Sequence, residues 1–204
     1  MSPEKLASFG GEKTIVGKLD KYRSIGSEEL AAANIVIENG ILSEYVASFS
    51  DGFMGGKYVQ ELEKQCERVF GVKHAIAVNS WTSGLVCAVG AIDVEPGDEV
   101  IVTPWTMSAT VAAILHWGCI PVFADIDMSN FMMIPEKVEE LINERTRALL
   151  VADIFGQSAN YEPLIKLSQQ YNLKIISDTA QAPYANTTLG FAGTIADIGG
   201  ISLN

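Results

Sequence analysis

From Lys73 onward the sequence alternates between two kinds of segment, and this alternation constrains the fold more than any other feature. The runs "HAIAV", "EVIVTP", "IPVFADI", "ALLVADIF" and "LKIISD" are short, apolar and rich in β-branched residues, with helix-length stretches between them. A strand that is apolar on both faces has no wet side. It belongs in a mostly parallel sheet whose crossover helices cover it above and below. Helices are predicted over 82–92, 108–117, 135–143 and 161–171. The expected architecture is an α/β domain over 57–204, preceded by an arm and helix over 1–56.

The region before the alternation reads differently. Residues 1–26 are polar and punctuated by glycine, as an arm would be. A helix then starts with Ser27 as its N-cap and Glu28 and Glu29 in the first turn, and Gly40 follows its end. The stretch "SFSDGFMGG" over 48–56 reads as a loop. Beyond it Val59, Leu62, Cys66 and Val69 recur at helical spacing until Gly71 stops that helix.

Composition narrows the function classes. With 14 basic against 25 acidic side chains, a formal charge of -11 and no basic cluster, nothing would neutralise a phosphate backbone or an anionic membrane. A small-molecule ligand fits better. The three cysteines, Cys66, Cys87 and Cys119, are odd in number, far apart and set in apolar patterns, which predicts buried reduced thiols and a cytoplasmic setting. His74 and His116 are not spaced for joint metal ligation. The amino end lacks the apolar core of a signal peptide, and no apolar run has the length of a membrane span, so a soluble protein is expected.

In open α/β sheets ligands gather beyond the carboxyl ends of the strands. Here those ends carry "NSWTSG", "TPWTMSAT", "DIFGQ" and "SDTAQAP". In the first, a strand runs through hydroxyl residues into a helix. Thr82 and Ser83 there read either as an anion cradle at the helix N-terminus or as part of ordinary capping by Ser80 or Thr82. Asp178, where "LKIISD" stops, reads either as a turn acid or as the partner of a protonated heterocyclic nitrogen, which it would keep cationic and electron-withdrawing. No Gly-rich dinucleotide or Walker-type phosphate loop follows any of the strands. A phosphate cradle and a ring-nitrogen acid on one sheet edge together point to pyridoxal phosphate.

The segments "VNSWTSGL", "PGDEVIVTPWTMSAT", "GCIPVFADID", "RTRALLVADIFGQSAN", "IISDTAQAPYA" and "GTIADIGGISLN" follow in order. As an ordered set they closely resemble the DegT/DnrJ/EryC1/StrS sugar aminotransferases, pyridoxal-phosphate enzymes of fold type I. The resemblance implies that Asp178 pairs with the pyridine nitrogen and Gln181 lies near the ring hydroxyl. It also implies that Thr82 and Ser83 bind the phosphate with help from Ser202. Where the family usually has a stacking aromatic, this chain has Met107, with Trp105 close by in sequence. The implied activity moves an amino group from glutamate or glutamine to a keto sugar, either nucleotide-linked or cyclitol-like. Pyridoxamine 5'-phosphate stands between the two halves of that reaction. Homodimers with shared sites are implied as well, and "DGFMGG" and residues 186–193 are candidates for substrate or partner contact.

The family's Schiff-base lysine follows the "ISLN" segment a few residues on, and the sequence ends at Asn204, short of that place. The family's small C-terminal domain has no counterpart either. The expectation is therefore the front part of a longer enzyme, inactive on its own. Two rivals stand beside transfer: a dehydratase of the same family, in which histidine replaces that lysine, and a non-catalytic module that uses the fold for binding or dimerisation.

Overall fold

The computed structural model describes residues 5–18, 21–45, 48–50 and 52–203. The chain divides into two compact units, Met1–Gly56 and Lys57–Asn204. In the first, a short 3-10 turn spans Ala7–Phe9 and helix α1 spans Ser27–Asn39. Gly26, not Ser27, is the N-cap: the Gly26 N–H donates to Glu29 Oε2 at 2.6 Å, and Ser27 is the first helical residue. A glutamate in the first turn satisfies the capping amide without a hydroxyl cap. Gly40 closes α1 at φ 70°. The loop expected over 48–56 consists of bends and turns, and Asp51 within it lies outside the described residues.

The second unit opens with α2, Lys57–Phe70, which stops at Gly71 with φ 65° as its spacing predicts. The expected strand "HAIAV" does not form. Residues 74–78 belong to no helix and no ladder; Ile76 is 82% exposed, and the Ala77 N–H donates to Glu63 Oε1 at 2.8 Å. A strand exists through its neighbours' hydrogen bonds, and none of the described residues lines up beside this run.

The remaining expected strands form. In chain order the unit continues as α3 (Trp81–Gly90), β1 (Glu99–Val102), α4 (Ser108–His116), β2 (Ile120–Phe123), α5 (Pro135–Glu139), β3 (Thr146–Ala152), α6 (Tyr161–Tyr171) and β4 (Lys174–Asp178). It closes with β5 (Asn186–Thr187), β6 (Gly190–Phe191) and β7 (Ile198–Gly200). Five strands make one parallel sheet in the order β2-β1-β3-β4-β7, while β5 and β6 pair as a small antiparallel ribbon. Helix α5 is shorter than its predicted 135–143 because Leu141 and Ile142 bond three residues back, to Val138 and Glu139, and turn off the helix.

Alternation along the strands supplies two cores. Ile101, Leu149, Val151 and Ile175 point to one face, where Val138 of α5 and Tyr161, Leu164 and Leu167 of α6 cover them. Val100, Val102, Ala148, Leu150 and Ile176 point to the other, under Leu85, Ala88 and Val89 of α3 and Ala113 and Ile114 of α4. Helices therefore sit on both faces of the sheet, which is why the strands read as continuous apolar runs. The thiols correct the sequence reading: only Cys119 is buried, Cys66 is half-buried and Cys87 is exposed. Being on a helix with an apolar pattern does not tell which face a cysteine takes. No helix among the described residues is long and apolar enough to cross a membrane.

Candidate active site

The sheet register brings the chemistry-bearing ends together. Ala152, the last residue of β3, is level with Asp178, the last of β4, and Asp178 is level with Gly200 at the end of β7. Asp178 follows Ile176 by two residues, so its side chain takes the α3/α4 face of the sheet. It is 6% exposed. Its Oδ2 accepts from Thr110 Oγ1 at 2.6 Å, and its Oδ1 accepts from the indole Nε1–H of Trp81 at 2.8 Å and, more distantly, from the Ala180 amide at 3.3 Å. Thr110, itself fully buried in α4, exchanges a further hydrogen bond with Thr106 at 2.8 Å.

These contacts say what Asp178 lacks. Every donor on it is neutral, and none of the ion pairs among the described residues involves it. A buried carboxylate is ordinarily paired with a cation, because neutral donors offset only part of its lost hydration. A protonated ring nitrogen held against Asp178 is a cation of that kind, and the acid would hold it protonated.

Beside this carboxylate α3 begins. Its N-cap is Ser80, whose Oγ accepts from the Ser83 N–H at 3.2 Å, which resolves the capping alternatives in favour of Ser80. The Ser80 and Ser83 hydroxyls lie 3.2 Å apart, Ser83 is half-buried, and Thr82 is exposed. A helix of 10 residues presents free amides and a positive dipole end at this point, the chemistry that holds a phosphate group. Trp81 links the two halves of the site: its backbone starts α3 and its indole reaches Asp178. The ring lies where only glycine leaves room. A Cβ on Gly84 would come within 2.4 Å of it and a Cβ on Gly200 within 2.0 Å.

The other predicted residues sit around this centre. Met107 is the N-cap position of α4 and is 60% exposed. Gln181, three residues past the end of β4, is exposed, and its backbone carbonyl accepts from the Gly156 N–H at 3.1 Å. Ser202 lies half-buried just beyond β7. Trp105 packs against Phe131 rather than alongside Met107 in any ring contact, with centroids 5.0 Å apart, and Phe131 meets Phe155 edge-on at 5.9 Å.

Sequence motifs assign no role to four residues of the neighbourhood: Trp81, Thr110, Asp153 and Tyr161. Asp153 anchors a second polar network on the opposite face of the sheet, that of Ser177 and Tyr161. Its Oδ2 accepts from Tyr161 Oη at 2.9 Å, Ser177 Oγ at 2.9 Å and Thr179 Oγ1 at 2.7 Å, and its Oδ1 accepts from the Ala159 N–H at 2.8 Å. Burial pushes the Asp153 carboxyl above the usual carboxylate range, although these donors pull the other way. Burial also holds the Tyr161 phenol protonated well beyond its ordinary value. This network secures the loops flanking Asp178 without facing the helix start.

Comparison with known proteins agrees with the geometry. The chain is 36% identical over 173 residues to the spore coat polysaccharide biosynthesis protein SpsC of Bacillus subtilis, covering 85% of this chain and 42% of that protein. It is 35% identical over 147 residues to a UDP-N-acetyl-3-dehydro-alpha-D-glucosamine 3-aminotransferase of Acidithiobacillus ferrooxidans, covering 72% of this chain and 40% of that one. Its fold matches the X-ray structure of an aminotransferase from Psychrobacter cryohalolentis with a TM-score of 0.79 and 26% identity, over 88% of this chain and 43% of that one. The chain thus spans less than half the length of these relatives. Similar structures have been solved in a pyridoxal-phosphate form and with pyridoxamine phosphate bound, and a buried acid lacking a cation beside a helix N-terminus fits such a group. Residues 39–204 match the DegT/DnrJ/EryC1/StrS aminotransferase family, and the chain belongs to that family of pyridoxal-phosphate enzymes of fold type I.

Proposed function

We propose that this chain is the cofactor-holding part of an enzyme that moves an amino group from glutamate or glutamine to a keto sugar, nucleotide-linked or cyclitol-like. The observation that carries the reading is the buried, cation-free Asp178 beside the start of α3. Support for the sugar comes from relatives whose names state polysaccharide biosynthesis and amination of a UDP-sugar. The cofactor supplies an electron sink for the bonds broken at the donor carbon. Asp178 would hold the proton on the ring nitrogen, and Thr110 would fix the carboxylate plane through its 2.6 Å bond. Thr82 and Ser83 would bind the phosphate oxygens at the helix start, with Ser202 joining from beyond β7. Gln181 would lie at the ring hydroxyl, and Met107 would cover a ring face with its polarisable thioether. A cytoplasmic homodimer with shared sites belongs to the same reading, as do substrate or partner contacts at "DGFMGG" and 186–193.

The direct test is to incubate the full-length protein with pyridoxal 5'-phosphate, L-glutamate and candidate keto sugars, following the cofactor's visible spectrum and the aminated product. A protein that leaves the spectrum unchanged is not this enzyme. Thr82→Ala gives a finer check. Thr82 is exposed and Ser80 is the cap, so the variant should fold normally. It should lose cofactor affinity about tenfold, the worth of one hydrogen bond to a charged group, with the saturated rate little changed. A lowered melting temperature with unchanged affinity would give Thr82 a purely structural role.

A further inference from the structure

The Trp81 side chain makes the connection that the cofactor itself would make. Its backbone opens α3, where a phosphate would be held, and its indole N–H meets Asp178 Oδ1 at 2.8 Å, where a ring N–H would be held. The indole is seated, not splayed: it lies against Gly84 and Gly200, two positions at which a Cβ would collide with it. It also packs on the buried apolar face formed by α3, α4 and the sheet. One flat heteroaromatic ring with an N–H donor thus spans from helix start to acid, bonded to the oxygen a second such ring would need.

We propose that Trp81 is a built-in surrogate for the cofactor ring, occupying its slot and its hydrogen bond to Asp178 in the cofactor-free protein and moving out of that slot on loading. The inference rests on the proposed cofactor site. Its physical basis is the cost of leaving a buried carboxylate unsatisfied: with the slot empty, Asp178 Oδ1 would keep only the long bond from Ala180. The indole N–H removes that cost and keeps the apo site ordered. The consequence is competition. A ligand that binds only the Trp81-out state has its apparent affinity reduced by the fraction of molecules in that state.

The experiment uses the full-length protein prepared without cofactor. Hydrogen exchange of the Trp81 indole N–H, assigned by its loss in Trp81→Phe, is measured before and after saturation with pyridoxal 5'-phosphate. Binding of the same compound is titrated for both proteins. The expected result is an indole N–H protected in the free protein and unprotected in the loaded one, with Trp81→Phe binding pyridoxal 5'-phosphate about tenfold more tightly because the competing hydrogen bond is gone. An indole still protected after loading overturns the proposal and makes Trp81 a support that shares Asp178 with the cofactor. Unchanged or weaker binding by Trp81→Phe overturns it too. Should Trp81→Phe fail to fold, the tryptophan resonance is assigned by selective labelling and the exchange measurement on unaltered protein still decides. If unaltered protein binds no pyridoxal 5'-phosphate, the proposed function falls, and the surrogate with it; if it binds with the indole protected, only the surrogate falls.

Discussion

On the proposed function, Asp178→Asn in the full-length protein is expected to slow the half-reaction with the amino donor by about 10²–10³-fold, the cost of removing one preorganised electrostatic contact in an active site. The fold should survive. Asparagine keeps a carbonyl oxygen to accept the Trp81 indole N–H, and its amide can donate to Thr110 Oγ1 on the other side. For that the Thr110 hydroxyl must turn its own proton toward Thr106, and the 2.8 Å contact between those hydroxyls permits either to be the donor. What the variant loses is the negative charge, and with it the means of keeping a ring nitrogen protonated. Single-turnover kinetics with L-glutamate, beside thermal unfolding, separates the two effects. A near-normal half-reaction would remove Asp178 from the chemistry, and a collapse in melting temperature would mean that the charge holds the fold.

The contrast between Asp178 and its neighbours shows what a sequence can carry. "LKIISD" announces both a buried strand and an acid at its end, because a run apolar on both faces is legible from composition alone and the strand's direction places its last residue. "HAIAV" is also a short apolar run, yet no described residue pairs with it, since strand formation depends on a neighbour that local sequence does not name. Trp81 reads as an apolar residue in a helix start. Its bond to Asp178 requires knowing that Gly200, far along the chain, comes level with Asp178 and leaves room for an indole. Asp153 was visible only as one letter of "DIFGQ". Nothing local distinguishes an acid beside a helix start from one that gathers three hydroxyls and an amide on the sheet's other face.

That second acid should be the more sensitive of the two to truncation. Asp153 is 1% exposed, and Asp153→Ala would leave the Ala159 amide and three hydroxyls without their shared acceptor. Tyr161 and Ser177 lie 2.6 Å apart, and Ser177 and Thr179 2.7 Å apart, so the hydroxyls can still bond one another, but the amide cannot. Together with the cavity, the expected loss is about 3–5 kcal/mol, a fall in Tm on the order of 10 °C. Asp153→Asn should cost less, because its carbonyl keeps the Ala159 bond while the hydroxyls reorient. The pair also separates packing from charge. Burial raises the Asp153 carboxyl in the folded state, so folding takes up protons there. Its contribution to stability is whole below the ordinary aspartate value of about 3.9 and is lost as pH rises through the raised value. Thermal unfolding followed from acid to neutral pH should accordingly show wild type losing stability across that window relative to Asp153→Asn, which has no such proton to release. Parallel curves for the two proteins would mean that Asp153 is charged as readily in the fold as in the unfolded chain, and that the three hydroxyls and the amide fully offset its burial.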